Sequence, residues 1–214
     1  MNIILLGLPG AGKGTQAKVI AEIQSIPHIS TGDIFRKAYK DKTELGLLAN
    51  DYMSKGELVP DEVTIGNAIQ RLGNSDCDNG FLLDGFPRNI MQAQALEKYL
   101  ETEERTIDYV IYIEVDEKIL VERLTGRRVC PGCGETFHLE SKSPKVSSRC
   151  DSCNEILIQR EDDQEETVKE RLRVNYELTN QLLNFYGERG ILKTVNGSKD
   201  IAKVAQDILN IISK

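Results

Sequence analysis

Short apolar runs alternate along the chain with longer stretches in which apolar residues recur every three or four positions. The short runs predict strands at Asn2–Leu6, His28–Ser30, Phe81–Asp84, 109–115 and 191–195. The run at 109–115 is nearly continuous in apolar residues, which is typical of a strand covered on both faces.

The longer stretches have helical spacing. They predict helices over Lys13–Gln24 and from about Glu165 to Glu188. A last helix, with Ser198 as its N-cap, is predicted from the helical spacing of Ile201, Val204, Ala205, Ile208, Ile211 and Ile212. Strands separated by helices form βαβ units with right-handed crossovers, so their strands share a parallel sheet. The predicted fold class is therefore α/β, with a parallel sheet flanked by helices.

Two stretches interrupt this alternation. Residues 30–59 are helical in pattern and charged, with no strand signal after the first positions, and residues 126–163 are rich in Cys, Ser, Pro and charge. We predict a single core over residues 1–214 that carries two insertions, called here the helical insertion (30–59) and the cysteine insertion (126–163).

The composition narrows the class of protein. With 40% hydrophobic and 29% charged residues, the chain resembles an ordinary globular protein. A formal net charge of −7 argues against a general nucleic-acid binder, which would present a basic surface. The apolar runs are too short to span a bilayer, and the N-terminus enters a predicted strand without a leader. We expect a cytoplasmic protein with neither a nucleic-acid nor a membrane partner.

A glycine-rich segment, GLPGAGKGT, joins the first predicted strand to the first predicted helix. Its glycines allow positive φ angles, so that successive N–H groups can surround phosphate oxygens at a helix start. Lys13 can then reach the β- and γ-phosphates of a nucleoside triphosphate. The general P-loop pattern has Ser or Thr directly after the lysine; here Gly14 intervenes, which leaves open whether Thr15 contacts Mg²⁺. A glycine-rich turn with a surface lysine is the alternative interpretation.

Polar residues also follow the second predicted strand. Thr31 lies just beyond it and Arg36 about one turn later. Ligands of parallel sheets collect at the carboxyl ends of strands, so both side chains are expected near the P-loop. A helix cap at Thr31 and a surface charge at Arg36 would explain the same spacing.

The third predicted strand ends in a second polar group. Asp84 is suited to hold Mg²⁺ through water, and Gly85 lets a ligand approach the backbone. Arg88 offers a planar fork for phosphate oxygens, and the Gln92 amide can both donate to and accept from a base edge. The alternative is a turn in which Asp84 caps the following helix.

Four of the five cysteines form two C-x₂-C pairs, Cys130/Cys133 and Cys150/Cys153, with sixteen residues between the pairs. This spacing is typical of a tetrahedral Zn²⁺ site, and cytosolic chains rarely keep disulfides. His138 is a weaker candidate ligand, because four thiolates already complete the shell. The remaining Cys77 is interpreted as a partly buried free thiol.

Five arginines bracket the cysteine insertion. Arg123, Arg127 and Arg128 precede the first cysteine, Arg160 closes the segment and Arg171 lies on the following helix. A single arginine in such a segment is most often a solvated surface group. The order of the five arginines along the chain is therefore a better indication of function than their number.

The motifs together resemble the nucleoside monophosphate kinases, and the adenylate kinase family in particular. The resemblance rests on GLPGAGKGT, GELVPDEV, DGFPR followed by Gln92, LTGRR, QREDD and VKERL, in that order over essentially the whole chain. It implies the reaction ATP + AMP ⇌ 2 ADP with Mg²⁺ on the donor, a monomer, an AMP-binding helical insertion and a lid with a structural zinc. The family usually has Thr where this chain has Asn89.

The resemblance also implies residue roles. Catalytic roles fall on Lys13, Arg88, Arg127, Arg160 and Arg171. Donor-nucleotide contacts fall on Gly10, Ala11, Gly12, Lys13, Gly14, Thr15, Arg123, Arg127, Thr136, Phe137 and Lys199. Acceptor contacts fall on Thr31, Arg36, Glu57, Leu58, Val59, Gly85, Phe86, Pro87, Arg88, Gln92, Arg160 and Arg171. Asp162 and Asp163 would pair with arginines as the lid closes.

Other functions stay open at this point. A kinase for GMP, UMP or CMP would share most of these motifs. A P-loop module with a zinc knuckle that binds nucleic acid is a rival of another class, and it predicts tight, salt-sensitive binding to DNA or RNA. The cysteine spacing does not by itself distinguish zinc from iron.

Overall fold

A computed structural model describes residues 1–213 of the chain. Its strands are β1 (Asn2–Leu6), β2 (His28–Ser30), β3 (Phe81–Asp84), β4 (Tyr109–Glu114), β5 (Arg127–Val129), β6 (Thr136–His138) and β7 (Leu192–Asn196). Its α-helices are α1 (Lys13–Gln24), α2 (Thr31–Lys40), α3 (Glu44–Met53), α4 (Asp61–Leu72), α5 (Ile90–Thr102), α6 (Glu117–Thr125), α7 (Glu165–Glu188) and α8 (Ile201–Ile212). Short 3₁₀ turns cover Ser75–Cys77 and Glu161–Asp163.

The main sheet has five strands in the order β2-β3-β1-β4-β7, and every neighbouring pair is parallel. This confirms the predicted α/β fold with its parallel sheet. The carboxyl ends of β1 and β3 lie side by side, since Leu5 pairs with Asp84 in the register. The segments that follow these two strands therefore start at the same edge of the sheet.

The sheet separates two apolar layers. Alternate residues of β1 face opposite layers: Ile3 and Leu5 pack with α1, α6 and α8, whereas Ile4 and Leu6 pack with α4 and α5. Helix α7 contributes to both layers. All five residues of β1 are buried, as expected for a strand covered on both faces.

Both predicted insertions have a small apolar cluster of their own. In the helical insertion, α2 and α3 enclose Phe35, Ala49 and Val59. In the cysteine insertion, the antiparallel pair β5–β6 accompanies a cluster of Cys130, Phe137, Cys150 and Leu157. Within residues 1–213, no helix is both long and apolar enough to cross a membrane.

Four local predictions were wrong. Strand β4 ends at Glu114, and β7 covers Leu192–Asn196, each one residue away from the predicted bounds. Ser198 does not cap α8; Asp200 occupies the N-cap position, and Ser198 lies in the preceding turn, where its N–H donates to Asn196 Oδ1. Cys77 is completely buried, since its 3₁₀ turn packs into the layer formed by α4, α5 and β3.

Candidate active site

The glycine-rich segment curls tightly between β1 and α1. Gly10 and Gly12 have φ angles of 86° and 93°, in the left-handed region that disfavours side chains. A Cβ at Gly10 would also lie 3.0 Å from the carbonyl oxygen of Leu120. Gly10 cannot be replaced without strain, because its φ angle is positive and because a side chain would not fit.

Lys13 lies over this loop. Its Nζ donates hydrogen bonds to the carbonyl oxygens of Gly7 (2.7 Å) and Leu8 (3.1 Å). Burial lowers the pKa of Lys13 to about 8, and the nearby Asp84 carboxylate only partly offsets that effect. The ammonium is therefore poorly solvated and short of anionic partners, as expected of a group placed to receive phosphate.

Asp84, at the end of β3, is a buried carboxylate beside the start of α1. A Cβ at Gly14 would lie 3.3 Å from Asp84 Oδ2, which accounts for glycine where the general pattern has Ser or Thr. The Nε2 of His28 lies 3.5 Å from the same oxygen. Sequence reasoning missed His28 because no motif contains it; the parallel pairing of β2 with β3 brings it there.

A first cavity is lined by the helical insertion and by the segment after β3. The Thr31 hydroxyl and the Arg88 Nε both donate to the carbonyl oxygen of Gly85, at 3.0 and 2.9 Å. Burial, with help from the positive charge of Arg171, lowers the pKa of Arg88 to about 10. The predicted residues that line this cavity are Thr31, Arg36, Glu57, Leu58, Val59, Arg88, Gln92 and Arg171.

A second, larger cleft runs from the P-loop to the cysteine insertion. The predicted residues that line it are Gly10, Ala11, Gly12, Lys13, Gly14, Thr15, Arg36, Gly85, Pro87, Arg88, Arg123, Arg127, Thr136, Phe137, Arg160, Arg171 and Lys199. Three cations, Arg36, Arg88 and Arg171, line both spaces. The cavity and the cleft therefore meet at a positively charged junction.

Not every predicted residue faces these spaces. Phe86 is 1% exposed and packs in the core with Ile29 and Leu83; within residues 1–213 its side chain lines neither space. Lys199 borders the cleft, but its Nζ is paired with Asp207 Oδ2 at 2.7 Å.

Aspartates balance part of the arginine charge. Asp163 is fully buried and accepts from Arg127 Nε at 2.8 Å and from Arg171 Nη1 at 3.0 Å. Burial opposes the charge of Arg127, but the hydrogen bonds and charge of Asp163 raise its pKa above the ordinary value. Arg160 lacks such a close partner, with Asp33 at 3.9 Å. Its pKa falls to about 9 through burial and the neighbouring arginines.

The cysteine insertion touches both sides of the cleft. Lys18 Nζ on α1 donates to the carbonyl oxygen of Gly134 at 3.4 Å. Lys40 Nζ on α2 donates to the carbonyl oxygen of Pro131 at 3.0 Å. The insertion therefore contacts α1 on one side of the cleft and the end of α2 on the other.

The four cysteines of the insertion converge. Their sulfur atoms all lie within 4.8 Å of one another, with Cys130 and Cys153 at 3.3 Å and Cys133 and Cys150 at 3.5 Å. A tetrahedral zinc site with Zn–S bonds of ~2.3 Å has sulfurs roughly 3.8 Å apart, so this donor set fits such an ion. His138 stays outside the group, because its Nδ1 accepts the N–H groups of Glu140 and Ser141.

Comparison with known proteins agrees with this geometry. A sequence model of the family described as Adenylate kinase matches residues 5–191. The adenylate kinases of Geobacillus sp. (strain WCH70) and Bacillus subtilis (strain 168) are each 57% identical over 212 residues, which are 99% of this chain and 98% of the relative. That of Oceanobacillus iheyensis is 56% identical over 214 residues, the full length of both chains. The chain belongs to the adenylate kinase family, whose members are phosphotransferases acting on nucleoside monophosphates.

Proposed function

We propose that this protein catalyses the reversible, Mg²⁺-dependent reaction ATP + AMP ⇌ 2 ADP. The observation that carries the proposal is the junction of the P-loop cleft with the smaller cavity at Arg36, Arg88 and Arg171. A donor and an acceptor nucleotide bound in the two spaces would bring their phosphates together among cations.

The donor belongs in the larger cleft. The P-loop amides and Lys13 bind the β- and γ-phosphates, and Lys13 gains the anionic partners that the free protein lacks. Arg123 packs near the adenine; its Nη2 donates to the Gly197 carbonyl at 3.0 Å, which holds the guanidinium beside the 197–201 loop. Thr136, Phe137 and the backbone near Lys199 complete the donor site.

The Mg²⁺ of the donor fits beside Asp84. The buried carboxylate and the Thr15 hydroxyl offer oxygen atoms, and Gly14 leaves room next to Asp84 Oδ2. Bound there, the ion supplies positive charge to the phosphate oxygens. His28 Nε2 lies 3.5 Å from Asp84 Oδ2 and makes no hydrogen bond to it.

The acceptor AMP belongs in the smaller cavity. Arg36 and Arg88 bind its phosphate, and Gln92 reads the adenine edge. Thr31 and the segment Glu57, Leu58 and Val59 shape the rest of this cavity, and Gly85 and Pro87 line the adjoining cleft. A kinase for GMP or UMP would need a different partner for the base at Gln92, whereas cytosine presents an acceptor and a donor as adenine does.

Charge and positioning carry the catalysis. Phosphoryl transfer passes through a loose transition state with charge spread over the equatorial oxygens, and the protein needs no nucleophile of its own. Arg127, Arg160 and Arg171 converge on the cleft from the cysteine insertion and α7 to neutralise that charge. Because Arg160 is the least well paired of them, it gains most from an anionic ligand.

We infer that residues 126–163 form a lid and residues 30–59 the acceptor-binding insertion. Closure of the lid over both nucleotides excludes water, which would otherwise accept the phosphoryl group. A structural Zn²⁺ held by Cys130, Cys133, Cys150 and Cys153 keeps the lid folded. The enzyme works as a cytoplasmic monomer on ATP, AMP and ADP, with no nucleic-acid or membrane partner; its net charge of −7 supports the absence of nucleic acid.

Product analysis tests this proposal directly. Incubated with MgATP and AMP, the protein should form two ADP per AMP consumed, and from MgADP alone it should form equal amounts of ATP and AMP. Without AMP, release of inorganic phosphate should be negligible. Lys13→Ala is the control for a contaminating kinase. Phosphate release that does not depend on AMP would contradict the proposal.

A further inference from the structure

Both ends of the Gln92 carboxamide are held by protein groups. This side chain is 1% exposed and lines the smaller cavity. Its Oε1 accepts the backbone N–H of Arg88 at 2.8 Å, and its Nε2 donates to Asp61 Oδ1 at 2.7 Å. A backbone N–H can only donate and a carboxylate only accepts, so the two partners together fix which end of the amide is oxygen.

The held amide keeps one unused donor and one unused acceptor. A carboxamide has two N–H groups and two oxygen lone pairs, and one of each is taken by Asp61 and Arg88. The remaining pair matches the adenine edge, where N1 accepts and the N6 amino group donates. Guanine presents a donor at N1 and an acceptor at O6. Its donor would therefore face the free N–H of Gln92, and its acceptor would face the free lone pair.

Asp61 is itself held by Asn89. The Nδ2 of Asn89 donates to both carboxylate oxygens of Asp61, at 2.9 and 3.1 Å, while Asn89 Oδ1 accepts the N–H of Gln92 as the cap of α5. One asparagine thus orients the carboxylate and also fixes the backbone of the glutamine. A threonine has a single hydroxyl proton and could not donate to both oxygens.

The link is not needed to hold α4 against α5. Ala68 and Leu72 of α4 pack with Ala93 and Leu96 of α5 in the buried layer, where all four side chains are at most 1% exposed. This apolar contact survives the loss of a polar link near the helix starts. The contact between the Asp61 carboxylate and Gln92 is therefore better explained as positioning of the Gln92 carboxamide than as a link between the two helices.

We propose that Asp61 is a positioning residue for the acceptor nucleobase, which it selects by fixing the carboxamide of Gln92. The inference rests on the proposed binding of the acceptor base at Gln92. Without the carboxylate the Nε2 end loses its partner, and the amide rotates away from the arrangement that distinguishes adenine from guanine.

The test compares Asp61→Ala with Glu62→Ala. Both remove one carboxylate from the first turn of α4, but Glu62 is exposed and makes no side-chain hydrogen bond within residues 1–213. Losing a hydrogen bond to a charged group should raise the KM for AMP about tenfold and lower the AMP:GMP ratio of kcat/KM by a similar factor. The KM for ATP and the kcat at saturating AMP should stay near the values of Glu62→Ala.

A double-mutant cycle with Gln92→Ala separates positioning from stability. If Asp61 acts through Gln92, Asp61→Ala should have almost no further effect on the KM for AMP in the Gln92→Ala background. Asp61→Ser, whose hydroxyl is too short to reach Gln92, gives a second variant if alanine at this position prevents folding. Additive effects, or parallel losses in the KM for ATP and the melting temperature, would overturn the proposal. Normal AMP selectivity in Gln92→Ala alone would overturn the role of Gln92 as well, whereas wild-type inactivity toward AMP would refute the proposed function itself.

Discussion

Asp163 holds Arg127 from the opposite end of the cysteine insertion: the carboxylate accepts from Nε of the guanidinium at 2.8 Å and also from its Nη2. The pair joins the first residue of β5 to the 3₁₀ turn that precedes α7, so it fastens the base of the insertion. Asp163 also accepts from Arg171, and one buried carboxylate therefore serves two of the arginines proposed to bind phosphate.

Removing this carboxylate should destabilise the protein strongly. Asp163→Ala leaves the buried Arg127 without its carboxylate partner, whereas Arg171 keeps Asp162 Oδ2 at 3.2 Å. An unpaired buried cation costs about 3–5 kcal/mol and lowers the melting temperature by roughly 6–20 °C. Glu161→Ala is the matched control, because it removes one exposed charge from the same turn. Thermal unfolding of both variants measures the difference. Equal melting temperatures of the two variants would show that the buried ion pair contributes nothing to the stability of the fold.

Lys13 should take up a proton when ATP binds. Its free pKa of about 8 is below that of an ordinary lysine, and phosphate anions raise it by stabilising the charged form. At a pH between the pKa of Lys13 in the free protein and its pKa in the ATP complex, the complex binds more protons than the free protein and ATP do separately. The affinity for ATP should therefore fall as pH rises through about 8. Near pH 8.5 the uptake should be more than about half a proton.

Calorimetry in buffers of different ionisation enthalpy measures that uptake. Lys13→Met is the control, since it removes the titrating group and keeps an unbranched side chain. Equal proton uptake in the wild type and in Lys13→Met at pH 8.5 would contradict the assignment of Lys13 to the phosphates.

Arg88 should contribute to turnover far more than a surface arginine does. Arg88→Ala removes a cation from the junction of the two spaces, and transition-state arginines contribute ~10³–10⁵ in rate. Arg173→Ala is the control, because Arg173 is exposed and pairs only locally with Glu170 on α7. A near-normal kcat and KM for AMP in Arg88→Ala would contradict the proposed role of Arg88 in binding phosphate.

The cysteine cluster should bind one Zn²⁺ that stabilises folding and is not catalytic. Since the energy of binding a structural metal appears as folding energy, Cys153→Ala or chelation should lower the melting temperature and leave residual turnover well below it. Cys77→Ala also removes one thiol but lies outside the cluster, so its metal content should stay at one ion per chain. Complete loss of turnover with an unchanged melting temperature would indicate a catalytic metal instead.

The sequence predicts the parts of this protein that local chemistry determines. The glycine turn around Gly10, the strand ending at Asp84 and the two cysteine pairs each have a spacing with a physical reason, and the structure brings each group together as predicted. Apolar periodicity predicts the five strands of the main sheet and the helices α1 and α7, with errors of one residue at β4 and β7. It does not predict β5 and β6, which lie in the cysteine insertion.

What the sequence does not reveal are partners distant along the chain. His28 reaches Asp84 through the pairing of β2 with β3, and Asp61 reaches Gln92 through the packing of α4 on α5. His28 lies in no recognised motif, and although Asp61 lies within GELVPDEV, the spacing of that motif does not reveal its contact with Gln92. Tertiary contacts and not local spacing bring both residues to the site. Ser198 shows the reverse error: a residue type that is favoured at N-caps lies instead in the turn before α8, where its N–H donates to Asn196 Oδ1.

The central claim is that AMP is the acceptor, and an acceptor panel tests it most directly. Initial rates with MgATP as donor would be measured for AMP, GMP, CMP and UMP on one preparation. The account predicts that kcat/KM for AMP exceeds that for GMP and UMP by at least about 100-fold, because their bases present the reversed donors and acceptors and leave buried polar groups unpaired. It also predicts that AMP is preferred to CMP by a smaller factor, because cytosine shares the donor and acceptor of adenine but has a smaller ring. A preference for GMP, CMP or UMP, or equal rates with all four, would contradict it.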